Sequence, residues 1–387
     1  MSQNSKVSAS DTAPNTLAAV RTGLTVLALL FVFLMGVRGL GDGFKLLGSD
    51  LLEAFFQATS NPFVALMVGL LATTLVQSSS VSTSMIVGLV AAPENPLPVE
   101  NAIPMIMGTN IGTTVTNTIV ALAHMGRKEE FRRAFAVATC HDFFNYMAVM
   151  VLLPLELATG FLRHAADSVS ALVAGSGGMT FDSPVKAALK GALAPIVSLV
   201  NAIFENSQAR GATIALLSAL LIFGALYMLV RTMRQAMQRR IELWVDRLFG
   251  RSALIAMAIG AAATIVVQSS SITTSLLVPL AGAGILTLEQ AFPVTLGANI
   301  GTTITALLAS MAVAGENAAA GMTVAVVHTL FNVVGTAMIY PLAVFRRLPL
   351  VAARKLADVA AESRYLAIAY VIILFYGLPG LFAFLSS

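Results

Sequence analysis

Long apolar segments, separated by short polar stretches, dominate the chain. Segments long enough to cross a bilayer as helices occur at about 20–40, 100–125, 131–154, 210–231, 288–313, 320–344 and 365–385. Two further apolar stretches, 62–92 and 252–284, are each interrupted in the middle by the sequence QSSS. Each half has about 13 residues, too few to cross a hydrocarbon core about 30 Å thick. The pattern therefore predicts two re-entrant helical hairpins with QSSS at their tips, enclosed by protein or a water-filled cavity.

Composition supports a polytopic all-α membrane protein. Hydrophobic residues make up 57% of the 387 residues and charged residues 11%, whereas soluble domains carry about 25% charged residues. Lys and Arg concentrate at 127–133, 231–251 and 346–355, and counting the crossings puts all three clusters on one face. The positive-inside rule makes that face cytoplasmic. We therefore expect a multi-pass protein of the plasma (inner) membrane, with its N-terminus in the cytoplasm and residues 155–209 outside.

Three polar motifs occur twice in the same order. The pairs are QSSSVSTS at 77–84 with QSSSITTS at 268–275, GTNIGTTVT at 108–116 with GANIGTTIT at 297–305, and HDFFN at 141–145 with HTLFN at 328–332. Their offsets are 191, 189 and 187 residues, which indicates an internal duplication. Three predicted spans separate the two QSSS tips, and an odd number inverts the second copy, as is usual in secondary transporters.

The duplication predicts a division of the chain. A disordered tail would cover 1–16, repeat 1 would cover 17–154, and an external connecting region would cover 155–209. Repeat 2 would follow over 210–345, and a basic loop with a final span would occupy 346–387. Each repeat would contain one span, one re-entrant hairpin and two further spans.

The QSSS tips carry the first candidate chemistry. Isolated Ser and Thr residues commonly serve as helix contacts in membranes, but three successive serines point in several directions and cannot all face one neighbour. Beside the free N–H groups of a helix N-terminus, such hydroxyls make an anion site. We expect the two inverted tips to meet near the membrane midplane around one anion.

We expect a broken helix at each GxNIGTT motif, although the motifs permit two interpretations. Their glycines tolerate a break in the span, and the small-xxx-small spacing equally suits close helix packing. In the first interpretation, unwound carbonyls, the amide oxygens of Gln77 and Gln268, and threonine hydroxyls would supply neutral oxygen ligands suited to Na⁺. Neither the QSSS nor the GxNIGTT motifs contain Lys or Arg, so co-bound cations would balance a bound anion and couple the two.

Asp142 differs from the other motif residues because it is the only carboxylate among them, and Thr329 takes its place in the second copy. An ionisable group within a span indicates a functional role by default. The nearby His141 and Asn145 share a helix face, and there a buried, hydrogen-bonded histidine is as good an interpretation as substrate contact.

Together the motifs resemble those of the type II sodium-dependent phosphate cotransporters, the sodium:phosphate symporter family. The resemblance covers most of residues 60–345 and rests on the paired QSSS and GxNIGTT motifs. It implies two inverted repeats, homodimers, an elevator-like motion and Na⁺-coupled uptake of inorganic phosphate without a cofactor or enzymatic activity. Asp142 matches the aspartate of electrogenic members, whereas Ala298 and Arg127 depart from residues common in the family. The chain lacks the long external loop of animal members, as expected of a compact prokaryotic-type homologue.

The motifs and the resemblance yield two sets of candidate site residues. The expected phosphate-binding residues are Gln77, Ser78, Ser79, Ser80, Asn110, Gln268, Ser269, Ser270, Ser271 and Asn299. The expected sodium ligands are Gln77, Thr113, Thr116, Asp142, Asn145, Gln268, Thr302 and Thr305. A Na⁺-coupled symporter of sulfate or a small carboxylate is the closest alternative, and an ion channel or an intramembrane serine hydrolase fits the motifs less well.

Overall fold

The structure, a computed structural model, describes residues 16–46, 57–93, 95–175, 184–246, 252–313 and 317–385. Apart from residues 16 and 175, the predicted disordered tail and the glycine-rich segment GSGGMT at 175–180 lie outside these ranges. Every regular element within them is helical, which confirms the predicted all-α class.

We number the helices in chain order. They are α1 Thr16–Leu46, α2 Pro62–Val76, α3 Ser79–Val90, α4 Val99–Thr113, α5 Val115–Leu122, α6 Lys128–Thr159, α7 Phe161–Gly175, α8 Pro184–Ile203, α9 Ser207–Asp246, α10 Ala253–Val267, α11 Ser270–Ser275, α12 Leu277–Gly282, α13 Leu288–Ala312, α14 Ala318–Ile339, α15 Ala343–Glu362, α16 Arg364–Val371 and α17 Leu378–Leu385. A π-helical turn, Ile372–Gly377, joins α16 to α17.

Within the described ranges, six helical segments are long and apolar enough to cross a membrane. They are Val20–Leu40, Lys128–Thr159, Ser207–Leu229, Leu288–Met311, Ala318–Ile339 and Arg364–Phe382. Each corresponds to a predicted span, so these six predictions are confirmed at the level of length and hydropathy. The seventh, 100–125, consists instead of the two shorter helices α4 and α5, which meet at Thr114.

The two apolar stretches containing QSSS are divided into short helices, as predicted. In the first, α2 has 15 residues and α3 has 12. In the second, α10 has 15 residues, but the returning half is split into α11 and α12, of six residues each. Pro279 lies just after that split. Because proline has no backbone N–H, it cannot donate to the carbonyl of Ser275 and so interrupts the helix.

The GxNIGTT motifs correct part of the sequence interpretation. The first ends at the junction between α4 and α5, where the N–H of Thr114 bonds the Ile111 carbonyl at 3.1 Å, three residues back. The second lies inside the uninterrupted helix α13, so the predicted break is wrong there. The motif glycines serve close packing: a Cβ on Gly108 would overlap the Leu66 carbonyl, and one on Gly297 the Met257 carbonyl.

Helix α15 replaces most of the basic loop predicted after residue 345. Its polar side is joined to α6 by ion pairs, Lys128 with Glu362 at 2.6 Å and Arg132 with Asp358 at 3.3 Å. These charges are exposed, and such pairs each contribute only about 0–1 kcal/mol. The opposite side of α15 is buried and packs in the same hydrophobic cluster as α6, through Leu350, Ala353, Ala357 and Ala360. The segment predicted as a basic loop is therefore largely an amphipathic helix at the surface of the bundle.

Contacts at the two ends of the helical bundle fix the direction of several elements. At one end, Arg163 pairs with Glu100, and the Asn317 amide donates to the Ala92 carbonyl just after α3 at 2.6 Å. At the other end, Arg133 near the start of α6 donates to the Gly282 carbonyl at the end of α12 at 2.7 Å. The helices that follow the two QSSS segments, α3 and α11–α12, therefore end at opposite ends of the bundle.

Helices α1 and α9 pack closely and form a wall beside the QSSS region. A Cβ on Gly36 would meet the backbone and side chain of Ile222 at 2.9–3.0 Å, so glycine allows this close approach. Phe33 and Leu40 of α1 and Leu226 of α9 share a buried cluster with Val81 and Ile86 of α3. This packing places one face of α9 next to the first QSSS segment.

Candidate functional site

The two QSSS segments have nearly the same backbone conformation. Gln77 follows α2 with φ 58° and ψ 25°, and Gln268 follows α10 with φ 57° and ψ 28°. Both are left-handed, which is uncommon for residues other than glycine. The next residues, Ser78 and Ser269, are extended and act as helix N-caps. The Ser78 side chain accepts the backbone N–H of Val81, and the Ser269 side chain accepts that of Ile272. Each QSSS segment therefore joins its two flanking helices through the same turn.

The side chains of the two glutamines are held in equivalent ways. The Gln77 amide donates to the Thr74 carbonyl at 3.2 Å, and the Gln268 amide donates to that of Ile265 at 2.6 Å. The amide oxygens accept threonine hydroxyls of the GxNIGTT helices, Thr116 at 3.2 Å and Thr305 at 3.0 Å. Thr116 and Thr305 occupy the same place in their motifs, so the sequence duplication extends to the hydrogen bonds.

A cavity of about 260 Å³ is lined by both QSSS segments. Its polar lining consists of Gln77, Ser78, Thr116, Tyr227, Gln268, Ser269 and Ser271. Its apolar wall includes Phe223 and Leu226 of α9, and the Phe223 and Tyr227 rings are nearly parallel with centroids 6.3 Å apart. No Lys or Arg contributes to this cavity within the part of the chain that the structure describes. Neutral hydroxyl and amide groups thus provide its polar contacts.

Buried side-chain amides form a network of hydrogen bonds that joins the two motif sets. His141 donates from Nε2 to Asn299 at 2.6 Å, and Asn299 donates to the Asn145 side chain at 2.9 Å. Asn145 then donates to the Asn110 carbonyl at 2.8 Å, and Asn332 donates to the Asn110 side chain at 3.1 Å. Each GxNIGTT asparagine therefore bonds the asparagine of the other copy's HxxxN motif. This arrangement supports the interpretation of His141 as a buried, hydrogen-bonded histidine.

Asp142 lies apart from this network, although it follows His141 in the chain. Its side chain is fully buried, and its Oδ2 accepts the Tyr370 hydroxyl at 2.7 Å and the Thr118 hydroxyl at 3.4 Å. Its other oxygen, Oδ1, has no hydrogen-bond partner among the described residues, and neither has the Tyr146 hydroxyl. A buried carboxylate oxygen without a protein donor is suited to a cation or an ordered water.

A second cavity, of about 290 Å³, lies among α6, α13 and α15 and contains three arginines. Two of them form ion pairs, Arg132 with Asp358 and Arg354 with Glu289, and the third, Arg133, donates to the carbonyls of Ala281 and Gly282. Arginine at a helix C-terminus satisfies its last carbonyls. We therefore take the smaller cavity between the QSSS segments as the candidate site.

The structure distributes the predicted site residues over several places. Gln77, Ser78, Thr116, Gln268, Ser269 and Ser271 line the cavity. The hydroxyl of Ser80 lies 3.4 Å from that of Thr305, and Ser79 and Ser270 are buried without being among the cavity-lining residues. Asn110, Asn145 and Asn299 belong to the amide network, and the hydroxyls of Thr113 and Thr302 donate to carbonyls within their own helices. Asp142 forms a separate cluster.

Sequence reasoning missed several residues of these clusters. Phe223, Leu226 and Tyr227 belong to an apolar span, in which nothing marks them as facing a cavity. Tyr370 lies in the final span, outside every repeated motif. By contrast, Asn117 and Thr118 directly follow GTNIGTTVT, and Asn117 accepts the Thr274 hydroxyl at 2.9 Å. Extending the motif by two residues would have identified this pair.

Comparisons with known proteins point to one family. The profile of a family described as Na+/Pi-cotransporter matches residues 32–181 and 220–379. The chain is 33% identical to Sodium-dependent phosphate transport protein 2B of Homo sapiens over 92% of its length and 64% of that protein. It is 34% identical to Sodium-dependent phosphate transport protein 2A of Rattus norvegicus, over 92% of its length and 66% of the relative.

The chain thus spans just under two thirds of the length of these relatives. No solved structure matches it significantly. The family match covers both motif sets and is long enough to assign membership, and the family is one of transporters rather than enzymes. The chain therefore belongs to the Na⁺/Pi-cotransporter family.

Proposed function

We propose that this protein couples inward Na⁺ movement to the uptake of inorganic phosphate by alternating access, with net movement of charge. The observation that carries the proposal is the cavity lined by two QSSS segments of matching geometry. Family membership supports it, as do relatives named sodium-dependent phosphate transport proteins.

Phosphate is proposed to bind between the QSSS segments. The hydroxyls of Ser78, Ser269 and Ser271 and the N-terminal end of α3 provide hydrogen-bond donors of the kind that suits an oxyanion. The Gln77 and Gln268 amides already donate to backbone carbonyls, so their oxygens are better suited to donors and cations. The stacked rings of α9 would form the apolar wall that limits the size of the anion.

Sodium ions are proposed to supply the positive charge that balances the bound phosphate, because the described residues of the cavity include no cationic side chain. Arginine is the usual bidentate phosphate ligand, and none lines the cavity within the described ranges. Neutral oxygens near it, those of Gln77, Thr116, Gln268 and Thr305, would bind Na⁺ beside the anion. Asp142 would bind another Na⁺ in its own cluster, and this single negative charge underlies the proposed electrogenicity.

Two inverted repeats with re-entrant hairpins are the proposed architecture, over 17–154 and 210–345. Support comes from α3 and α12, which end at opposite ends of the bundle, and from the side-chain hydrogen bonds that join the GxNIGTT asparagine of each copy to the HxxxN asparagine of the other. Inverted repeats meeting at a central site are the usual basis of alternating access. A cytoplasmic N-terminus, a plasma-membrane location, an external 155–209 region and a homodimer complete the proposal.

Uptake of radiolabelled phosphate into proteoliposomes tests the function. We expect uptake above the equilibrium level when Na⁺ is higher outside, and none when K⁺ or a proton gradient replaces it. Unlabelled sulfate and a small carboxylate serve as competitors. Equally fast uptake without Na⁺ would overturn the coupling, downhill flux alone would favour a channel, and inhibition by sulfate at phosphate-like concentrations would reassign the anion.

A further inference from the structure

The final helical segment contributes a side chain to the Asp142 cluster. Tyr370, near the end of α16, places its hydroxyl 2.7 Å from Oδ2 of Asp142 in α6. Thr118 of α5 approaches the same oxygen at 3.4 Å. Three helices therefore meet at one carboxylate, and one of them, α16, is distant in sequence and lies outside the repeated motifs.

The π-helical turn after α16 explains how the Tyr370 ring is held. Residues five apart lie about 140° apart around an α-helix, whereas the i→i+5 bonding of a π-helix brings them to one face. Phe375 thereby packs edge-on against Tyr370, with ring centroids 6.1 Å apart, and Phe135 of α6 packs against it in the same manner at 6.2 Å. Two aromatic contacts thus fix the direction of the hydroxyl.

The hydrogen bonds engage only one side of the carboxylate. Both hydroxyls bond Oδ2. The Thr114 hydroxyl also faces the Asp142 carboxyl, but it donates to the Ile111 carbonyl at 2.8 Å, so Oδ1 has no hydrogen-bond partner within the described part of the chain. The Tyr146 hydroxyl, one helical turn from Asp142, also has none there. Oδ1 and the Tyr146 hydroxyl are thus two buried oxygens without partners on one face of α6, and a small hard cation prefers oxygen ligands.

We propose that Tyr370 is a positioning residue for cation binding at Asp142. Its hydroxyl holds Oδ2 so that Oδ1 faces the ion, and the final span is thereby part of the ion-coupling machinery. This inference rests on the proposed function only in taking the ion to be Na⁺. Removing the hydroxyl lets the carboxylate rotate and weakens Na⁺ binding, while phosphate contacts at the QSSS segments are unchanged.

Na⁺-dependent thermal stabilisation of the purified protein, measured without phosphate, tests this directly. Tyr370→Phe retains the ring packing and removes only the hydroxyl, and Tyr365→Phe is the matched control because Tyr365 is 84% exposed on the same helix. We expect Tyr370→Phe to raise the Na⁺ concentration for half-maximal stabilisation by about 10- to 100-fold, as the loss of one hydrogen bond to a charged group would. Tyr365→Phe should leave it unchanged.

A double-mutant cycle with Asp142→Asn separates positioning from a general structural effect. In the Asp142→Asn background, Tyr370→Phe should produce little further change in the Na⁺ dependence. An equal shift in both backgrounds, or none in either, would overturn the inference. Absence of Na⁺ stabilisation in the unaltered protein would overturn it as well.

Uptake measurements keep this inference distinct from the proposed transport function. With Na⁺-dependent phosphate uptake in the unaltered protein, Tyr370→Phe should raise the half-saturating Na⁺ concentration and leave the phosphate KM at saturating Na⁺ unchanged. An unchanged Na⁺ dependence would overturn the role of Tyr370 and leave the function standing. Conversely, Na⁺ stabilisation that depends on Tyr370 and Asp142, without Na⁺-driven phosphate uptake, would support the inference and overturn the function.

Discussion

Gln77 and Gln268 share their backbone angles and their hydrogen-bonding pattern, whereas the residues around them differ between the two halves of the chain. The first half has a broken span after GTNIGTT and a continuous α3, and the second has a continuous α13 and a returning half split at Leu276. Asp142 has Thr329 as its counterpart. His141 bonds Asn299, whereas neither ring nitrogen of His328 has a partner among the described residues.

This comparison separates two kinds of feature. Those that the halves share, the left-handed glutamine, the serine cap and the glycine packing, are the ones that a symmetric binding site requires. The features that differ are a charge, the positions of the helix breaks and the hydrogen bonds of the buried histidines. Each of them stabilises or destabilises one half of the chain without an equal effect in the other. We expect substitutions of shared features to have equal effects in both halves, and substitutions of differing features to have unequal ones.

The largest expected effect concerns a shared feature, the glycines facing neighbouring carbonyls. Gly108→Val and Gly297→Val should each abolish folded protein, because even a Cβ would overlap the Leu66 or Met257 carbonyl, and overpacking costs about 1–3 kcal/mol or more. Yield and monodispersity in size-exclusion chromatography measure this. Gly224→Val is the control, since its Cβ would meet no atom within 4 Å. If only one of the two variants folded normally, Gly108 and Gly297 would not have equivalent packing roles.

The next largest effect concerns the unpaired charge. Asp142→Gly should lower the charge moved per phosphate by about one elementary charge while some uptake remains, because a cation ligand is lost from one half only. Thr329→Gly, at the equivalent position, should leave the ratio unchanged. Simultaneous recording of current and labelled phosphate uptake measures it. Equal ratios in Asp142→Gly and the unaltered protein would remove Asp142 from ion coupling.

A smaller effect separates two equivalent serines. Ser271 lines the cavity, whereas its counterpart Ser80 has its hydroxyl 3.4 Å from that of Thr305. Ser271→Ala should therefore weaken phosphate binding by about 1–2 kcal/mol, on the order of tenfold in KM, and Ser80→Ala should weaken it less. Phosphate concentration series at saturating Na⁺ provide both values. A larger effect at Ser80 would show that the anion lies deeper than the cavity.

The last comparison concerns the stability of the fold rather than transport, and it involves the buried histidines. His141→Leu should destabilise the protein by about 1–3 kcal/mol, because it leaves the Asn299 side-chain oxygen buried without its donor. His328→Leu should be nearly neutral, since no hydrogen bond to a described residue is lost. Thermal unfolding in detergent measures both. Equal destabilisation would mean that His328 also has a partner in the folded protein.

The sequence predicted the helical class, six of the spans and the position of both QSSS turns, because the length of apolar runs and their polar interruptions are local signals. It did not predict that GANIGTT remains helical, since glycine permits both unwinding and close approach, and only the neighbouring carbonyl of Met257 decides between them. It also missed Phe223 and Tyr370, because which face of an apolar helix meets a site depends on packing between distant segments.

The left-handed glutamines carry a consequence for attempts to stabilise the protein for structural work. Glycine is the residue that this backbone region favours, so a stability-guided design would replace Gln77 and Gln268 first. Such a protein would relieve backbone strain of about 1–3 kcal/mol per site, yet it would lose the amide oxygens that accept Thr116 and Thr305. Because we propose these oxygens as sodium ligands, thermostability alone would then select variants that are impaired in Na⁺ coupling, and every round of such engineering requires a transport assay beside the melting curve.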